Sequence, residues 1–489
     1  MIKDKDLNSI QEVRNLVEKA KQAQYLLKIK SQEEIDAIVK AMYEVAYKES
    51  DRLAKMAASE TGFGIYEHKI IKNKFASRAV YEYIKDMKTV GIINEDKENK
   101  LLEIATPVGV VAGLIPSTNP TSTAIYKALI AVKSGNAIIF SPHPNALNCI
   151  REVAEIMEEK AVEAGAPEGI IACMSIPTLE GTDALMKHKD VSLILATGGS
   201  AMVKAAYSSG TPALGVGPGN VPAFIERSAD IPLSVKRIMD SKTFDNGTIC
   251  ASEQAVVTEN CIKDQVKIEF VKAGAYFLVG EELDKVGRTI QDACGRFNPK
   301  IAGRSATKIA EMAGIEVPSD TRVLIAEQTH VGIQYPFSRE KLSPILALYS
   351  EEDWEKACEK CVELLEYDGL GHSLVIHSKD EKIIREFALK KPVSRILVNT
   401  SSAQGAIGAS TNLVPSLTLG CGAVGGSSTS DNVSPLNLIN IRRVAYGTKE
   451  VEDIQNEYHE EANKKESSFL ELDVEKITMM VLKELQNYR

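Results

Sequence analysis

The chain has 489 residues, 44% hydrophobic and 26% charged, with a formal net charge of −9. Its length allows roughly two to four domains with sizeable cores, and its acidic balance without a long basic run excludes nucleic acid or an anionic membrane as partner. No apolar stretch reaches the roughly 18 residues of a membrane span.

Taken in order, "MIKDKDLNSIQEVRNL" is polar and mixed in charge, so neither a signal nor a transit peptide is expected. Residues 8–60 repeat apolar positions at helical spacing. "KLLEIATPVGVVAGLIPSTNP" is β-branched and ends at a Pro/Asn turn. "STAIYKALIAVKSG" reads as a helix closed by Gly135, "NAIIFSPHPNA" as a buried strand, and "CIREVAEIMEEKAVEAGAP" as a helix stopped by Gly and Pro. "GIIACMS", a helix around "EGTDALMKHKD" and "VSLILATGG" continue the alternation, which predicts parallel sheet flanked by helices. The pattern resumes after 230 with a helix at "SADIPLSVKRIMDSKTFD", strands at "EQAVVT", "RVLIAE", "ILALYS", "HSLVIHS" and "SRILVN", and helices at 352–365 and 379–390. Two α/β lobes dividing near 230 are expected. The Gly/Ser/Thr/Asn-rich segment 396–437 reads as a packed functional loop, and polar 452–468 as a linker. "LDVEKITMMVLKELQ" places Val474, Ile477, Val481 and Leu485 on one helical stripe.

The eight cysteines are scattered without a disulfide framework, which fits a reducing cytoplasm. Cys358 and Cys361 form a CxxC inside the helical "DWEKACEKCVELLEY" and read as its inner face; no metal site is expected. Cys250, in "FDNGTICASEQ", differs because Gly247, Thr248 and Ala251 leave room beside its sulfur. "VSLILATGGSAMVKAAYSSG" ends a strand at Thr197, Gly198, Gly199 and Ser200 and opens a helix, which offers free N–H groups to an anion. "GVGPGN" at 215–220 lacks the spacing of a dinucleotide fingerprint.

In order, "PVGVVAGLIPSTNP", "IIFSPHP", "ATGGSAMV", "GVGPGN", "FDNGTICASEQ", "EKLSPILALY" and "PSLTLGCGAVGG" resemble the aldehyde dehydrogenase superfamily over roughly residues 8–448. "FDNGTICASEQ" and "PSLTLGCG" are similar to its CoA-acylating branch, the aldehyde half of bifunctional aldehyde–alcohol dehydrogenases and CoA-dependent succinate-semialdehyde dehydrogenases. No iron-dependent alcohol dehydrogenase half is expected after 489. The resemblance implies two Rossmann-like lobes, a cofactor-binding domain 1–230 and a catalytic domain 231–437. Strands at 97–110 and 438–447 would pair subunits into a homodimer or homotetramer.

Carried over residue by residue, the resemblance makes Cys250 the nucleophile and Asn119 the oxyanion donor. Gly215 falls where hydrolytic members keep a glutamate base, two positions before the pair that matches Gly217-Pro218. Without that base, coenzyme A rather than water is expected to take the acyl group, its phosphates using the helix N-terminus at Ser200. Glu340 aligns with the ribose-binding glutamate. Ser141 and His143, in "SPHP", stand where relatives bind the adenine ribose, so NAD is expected with NADP left open. His372 reads equally as a site residue or a core histidine, and Cys421 has no derived role. Acetaldehyde, propionaldehyde, succinate semialdehyde and sulfoacetaldehyde all fit as substrate. A hydrolytic enzyme and an idle binding relative are the competing readings. The tail, 469–489, reads either as a helix docked on its own oligomer or as an encapsulation peptide for a bacterial microcompartment shell; localisation is cytoplasmic in both cases.

Overall fold

The computed structural model describes residues 4–488. Residues up to Gly91 and 105–440 form one compact unit; 92–104 and 441–489 form a second.

Within the first unit, five parallel strands run in the order Ile171–Cys173, Ala137–Pro142, Val110–Ile115, Val191–Thr197, Ala213–Val216. Numbered by chain position that is 3-2-1-4-5, the doubly wound order that reverses beside Val110–Ile115. Every residue of Val110–Ile115 and Ala137–Pro142 is buried, as parallel strands covered on both faces require. The helix Pro120–Lys133 is buried all round, with Pro120 in its first turn and Asn119 as its N-cap residue.

A seven-stranded parallel sheet forms the second lobe, in the order Ala275–Phe277, Val323–Glu327, Ile345–Glu351, Glu253–Glu259, Val221–Ile225, Gly371–His377, Val393–Val398. Val221–Ile225 therefore belongs to the second sheet, and the change of sheet falls at 216–221 rather than near 230. The segment 396–437 carries structure of its own: a helix Ser402–Ala406, a 3-10 turn Ala423–Gly425 and a bridge between Leu419 and Asn432. Leu419 is buried there while Leu413 stays exposed.

A three-stranded sheet is ordered Gly91–Asp96, Leu101–Pro107, Ile439–Ala445, so the hairpin expected at 97–110 turns at 97–100 and begins earlier. The helix Val451–Gln486 runs through the whole of 452–468, which corrects the linker reading. Glu, Lys, Gln and Ala are polar or small yet strong helix formers, and Glu450 with Asp453 caps the start reciprocally. Among the described residues no helix is long and apolar enough to cross a membrane.

Candidate active site

Cys250 lies on the connection from the helix Ile231–Thr243 to the strand Glu253–Glu259. Just upstream, Asp245 and Asn246 adopt left-handed backbone, φ 49° and 52°, a conformation that side chains rarely take outside functional turns. Asp245 is pinned from three directions. Its Oδ1 accepts the Ile65 N–H at 2.6 Å, its own N–H donates to His68 Nδ1 at 2.8 Å, and its Oδ2 accepts from Lys69 at 3.1 Å and from Lys72. Gly64 permits this approach, since a Cβ there would stand 2.0 Å from Asp245 Oδ1.

Asn119 reaches this turn from the first lobe, between the end of strand Val110–Ile115 and the buried helix. Its Nδ2 donates to the Thr248 carbonyl at 3.1 Å and to Thr118 Oγ1 at 3.2 Å, while its Oδ1 accepts from Lys72. The predicted oxyanion donor thus reaches the turn that carries the predicted nucleophile, bonding it at Thr248, two residues before Cys250.

Cys250 is half-buried. Burial pushes its thiol up to about 12; Glu340 and Cys421 add to the rise and Arg395 opposes it. The resting sulfur is therefore protonated at neutral pH, and attack on a carbonyl requires a proton acceptor. His372 offers a free acceptor nitrogen beside this turn, although its lowered pKa makes it a weak base. Burial, aided by Arg395, lowers its pKa to about 3, so the imidazole is neutral. Its Nδ1 faces Ser373 Oγ at 3.1 Å, and its buried Nε2 has no hydrogen-bond partner among the described residues. It lies close to the Cys250 backbone: a Cβ on Gly219 would stand 1.9 Å from the Cys250 carbonyl oxygen and 3.2 Å from His372 Cε1. Arg395 holds this wall, donating to the carbonyls of His372 and Gly420 at 2.9 and 2.7 Å, to Ser373 Oγ at 3.1 Å and to Asn432 Oδ1 at 3.2 Å.

Glu340 accepts the Gly219 N–H at 2.8 Å. Burial and the neighbouring Asp368 push its carboxyl up to about 8. Gly215 carries no carboxylate, and a Cβ there would stand 2.8 Å from both the Tyr207 ring and Val203, so a larger residue would require those side chains to shift.

The expected cofactor residues other than Glu340, which belongs to the second lobe, lie at or just after the carboxyl ends of the first sheet's strands, where such sheets bind dinucleotides. Thr197 ends its strand with a buried Oγ1 that has no partner among the described residues. Gly198 follows, Gly199 caps the helix Ser200–Ser208, and a Cβ on Gly199 or Gly217 would meet nothing within 4 Å. Two strands over, the Ser141 hydroxyl pairs with Thr182 Oγ1 at 2.7 Å, and exposed His143 accepts the Asn145 N–H at 3.1 Å. Open backbone with an orphaned hydroxyl at a switch point fits a nicotinamide dinucleotide. Among the described residues no group of three or more His, Cys, Asp or Glu could hold a metal ion.

A model described as "Aldehyde dehydrogenase family" matches residues 4–298. The chain belongs to the aldehyde dehydrogenase family. It is 46% identical over 447 residues to the bifunctional aldehyde-alcohol dehydrogenase AdhE of Escherichia coli, covering 90% of this chain and 50% of that protein. The chain thus spans about half the length of the curated relatives it matches first. Among solved structures, a probable aldehyde dehydrogenase from Listeria monocytogenes EGD-e is 63% identical with a TM-score of 0.92, covering 92% of this chain and 100% of its own. An acetylating aldehyde dehydrogenase from Geobacillus thermoglucosidasius is 57% identical with a TM-score of 0.91, covering 92% and 99%.

Within this aldehyde dehydrogenase, the residues that sequence reasoning passed over are Lys69, Lys72, Asp245, Gly219 and Arg395. "HKIIKNK" did hold a signal, two lysines one helical turn apart, and Asp245 lies inside the motif that was read for its cysteine alone. Cys358 and Cys361 are buried on the helix Trp354–Tyr367, as expected. Cys421 is buried with Gly371 packed against its carbonyl, so its place is structural as well as local to the site.

Proposed function

We propose that the protein oxidises a short-chain aldehyde and passes the acyl group to coenzyme A. The observation that carries this reading is the pairing of Cys250 with a Gly215 position that has no carboxylate and is closely packed by Tyr207 and Val203. His372 Nε2 takes the Cys250 proton as sulfur bonds to the aldehyde carbon, and the Asn119 amide donates to the resulting thiohemiacetal oxygen. The bound nicotinamide cofactor supplies the hydride acceptor. Collapse of the thiohemiacetal leaves an acyl thioester on Cys250. Once His372 has passed that proton to solvent, it deprotonates the incoming CoA thiol, whose sulfur displaces Cys250, and the departing Cys250 thiolate takes the proton back from His372. A Rhodopseudomonas palustris propionaldehyde dehydrogenase, 27% identical, was solved with bound CoA and an acylated cysteine, which supports this sequence of steps.

NAD is the cofactor in this reading, since "SPHP" at 141–144 offers no cation for a 2′-phosphate. An uncharged aldehyde of the acetaldehyde type is the substrate. Arg395, the arginine whose charge is felt at Cys250, spends its donors on carbonyls and neighbouring side chains, so it offers no seat for a carboxylate or sulfonate. Glu340 is the carboxyl group of the hydrolytic alternative: its charge is felt at Cys250, but burial and Asp368 push its own carboxyl up to about 8, which leaves it mostly protonated at pH 7. Incubating enzyme with aldehyde and NAD but no CoA, followed by peptide mass spectrometry, separates the readings. Acylated Cys250 accumulates if CoA is the acceptor, and free acid with unmodified Cys250 accumulates if water is.

The exposed Ile92, Ile441, Val444 and Tyr446 of the second unit suit strand pairing between subunits, and we read the protein as a homodimer or homotetramer in the cytoplasm. Val474, Ile477, Val481 and Leu485 are exposed along one helix. A relative 28% identical comes from a Clostridium phytofermentans microcompartment, which supports a shell as the partner of 469–489. Deleting that segment should abolish co-sedimentation with shell proteins and leave turnover intact; lost activity or oligomer would make it structural.

A further inference from the structure

We infer that Lys72 is a positioning residue that fixes which end of the Asn119 amide faces the reacting carbon; the inference rests on the thiohemiacetal chemistry proposed above. Lys72 is a buried ammonium with three partners: Asn119 Oδ1, Asp245 Oδ2 and, at 2.9 Å, Thr248 Oγ1. An ammonium only donates, so the end of an amide that meets it must be the oxygen. The Nδ2 end is thereby turned to the Thr248–Cys250 segment, where its hydrogens rest on Thr248 O and Thr118 Oγ1. A substrate oxyanion claims one of these hydrogens without rotating the amide. A cation on the amide oxygen also draws electron density from the nitrogen and strengthens it as a donor.

The surroundings keep Lys72 in place and charged. Asp245 faces it from the left-handed turn, Lys69 and His68 lie on its own helix, Thr248 and Cys250 come from the same turn, and Asn119 from the buried helix. Burial pulls Lys72 down to about 8; Asp245 resists that fall more strongly than Lys69 aids it. The ammonium thus persists at neutral pH. The cluster reaches across both lobes, since Lys72 and Asn119 are tied to the turn that precedes Cys250. Asp245 can serve as its anchor because Gly64 leaves the space its carboxylate fills.

The test is a double-mutant cycle read by the burst of reduced nicotinamide in the absence of CoA, a signal that precedes any choice between CoA and water. Lys72→Met should slow the burst by about 10- to 100-fold with its amplitude kept, and Asn119→Ala by about 10²–10³-fold. The double variant should be no slower than Asn119→Ala, within about twofold, because Lys72 acts through that amide. Losses that multiply, or a wild-type burst in Lys72→Met, overturn the inference. Should Lys72→Met fail to fold, Lys72→Met/Asp245→Asn, which also removes the stranded carboxylate, takes its place in the cycle. Wild-type enzyme that shows a burst but releases free acid on adding CoA sinks the acylating reading and leaves the cycle to score Lys72; absence of any burst overturns both.

Discussion

Asn119 donates from Nδ2 to the carbonyl of Thr248 at 3.1 Å, joining the first lobe to the turn that carries Cys250. The two residues are 129 positions apart, and the bond brings an amide donor to the turn two residues before Cys250. Removing that donor should leave the aldehyde's binding largely unchanged and cost the charged intermediate its partner. Asn119→Ala is expected to lower kcat by about 10²–10³-fold with KM changed little. Steady-state kinetics decide it: an unchanged kcat with a raised KM would make Asn119 a substrate-positioning residue instead.

The raised thiol pKa has a direct chemical signature. A thiol at about 12 is almost wholly protonated at pH 7, and its thiolate fraction grows about tenfold per pH unit until the pKa is approached. Alkylation of Cys250 by iodoacetamide in the ligand-free enzyme should therefore accelerate steadily between pH 7 and 9. A plateau below pH 8 would show a thiolate already formed at rest.

Gly219 touches the nucleophile's backbone from behind. A methyl group there would stand 1.9 Å from the Cys250 carbonyl oxygen, and backbone, unlike a side-chain end, has little freedom to yield. Gly219→Ala should cost about 1–3 kcal/mol of stability and lower turnover by displacing Cys250 and His372 together. Calorimetry and kinetics on the same preparation check this, and a variant with wild-type Tm and rate would contradict the packing described.

The sheets were legible where strands are buried on both faces. "AIIFSP" and "VSLILAT" are nearly unbroken apolar runs, and each became a strand. "VPAFI" was not read as one because Pro222 interrupts it and Gly-Pro-Gly precedes it, yet tertiary pairing with Glu253–Glu259 and Gly371–His377 makes it central. Residues 452–468 were misread because polar composition alone does not separate a linker from an exposed helix. In the site, Cys250 and Asn119 stood out through the motifs that hold them. Lys72 and Asp245 did not, because their pairing spans 173 positions and the helical spacing of Lys69 and Lys72 does not say what they face.

The most direct measurement of the central claim is product analysis with and without CoA, following reduced nicotinamide and acyl-CoA in the same reaction of wild-type enzyme with NAD and acetaldehyde. The account predicts a burst equal to the enzyme present when CoA is absent, then sustained turnover on adding CoA, with one acyl-CoA formed per nicotinamide reduced. Sustained turnover to free acid without CoA, at a rate that CoA does not change, would contradict it.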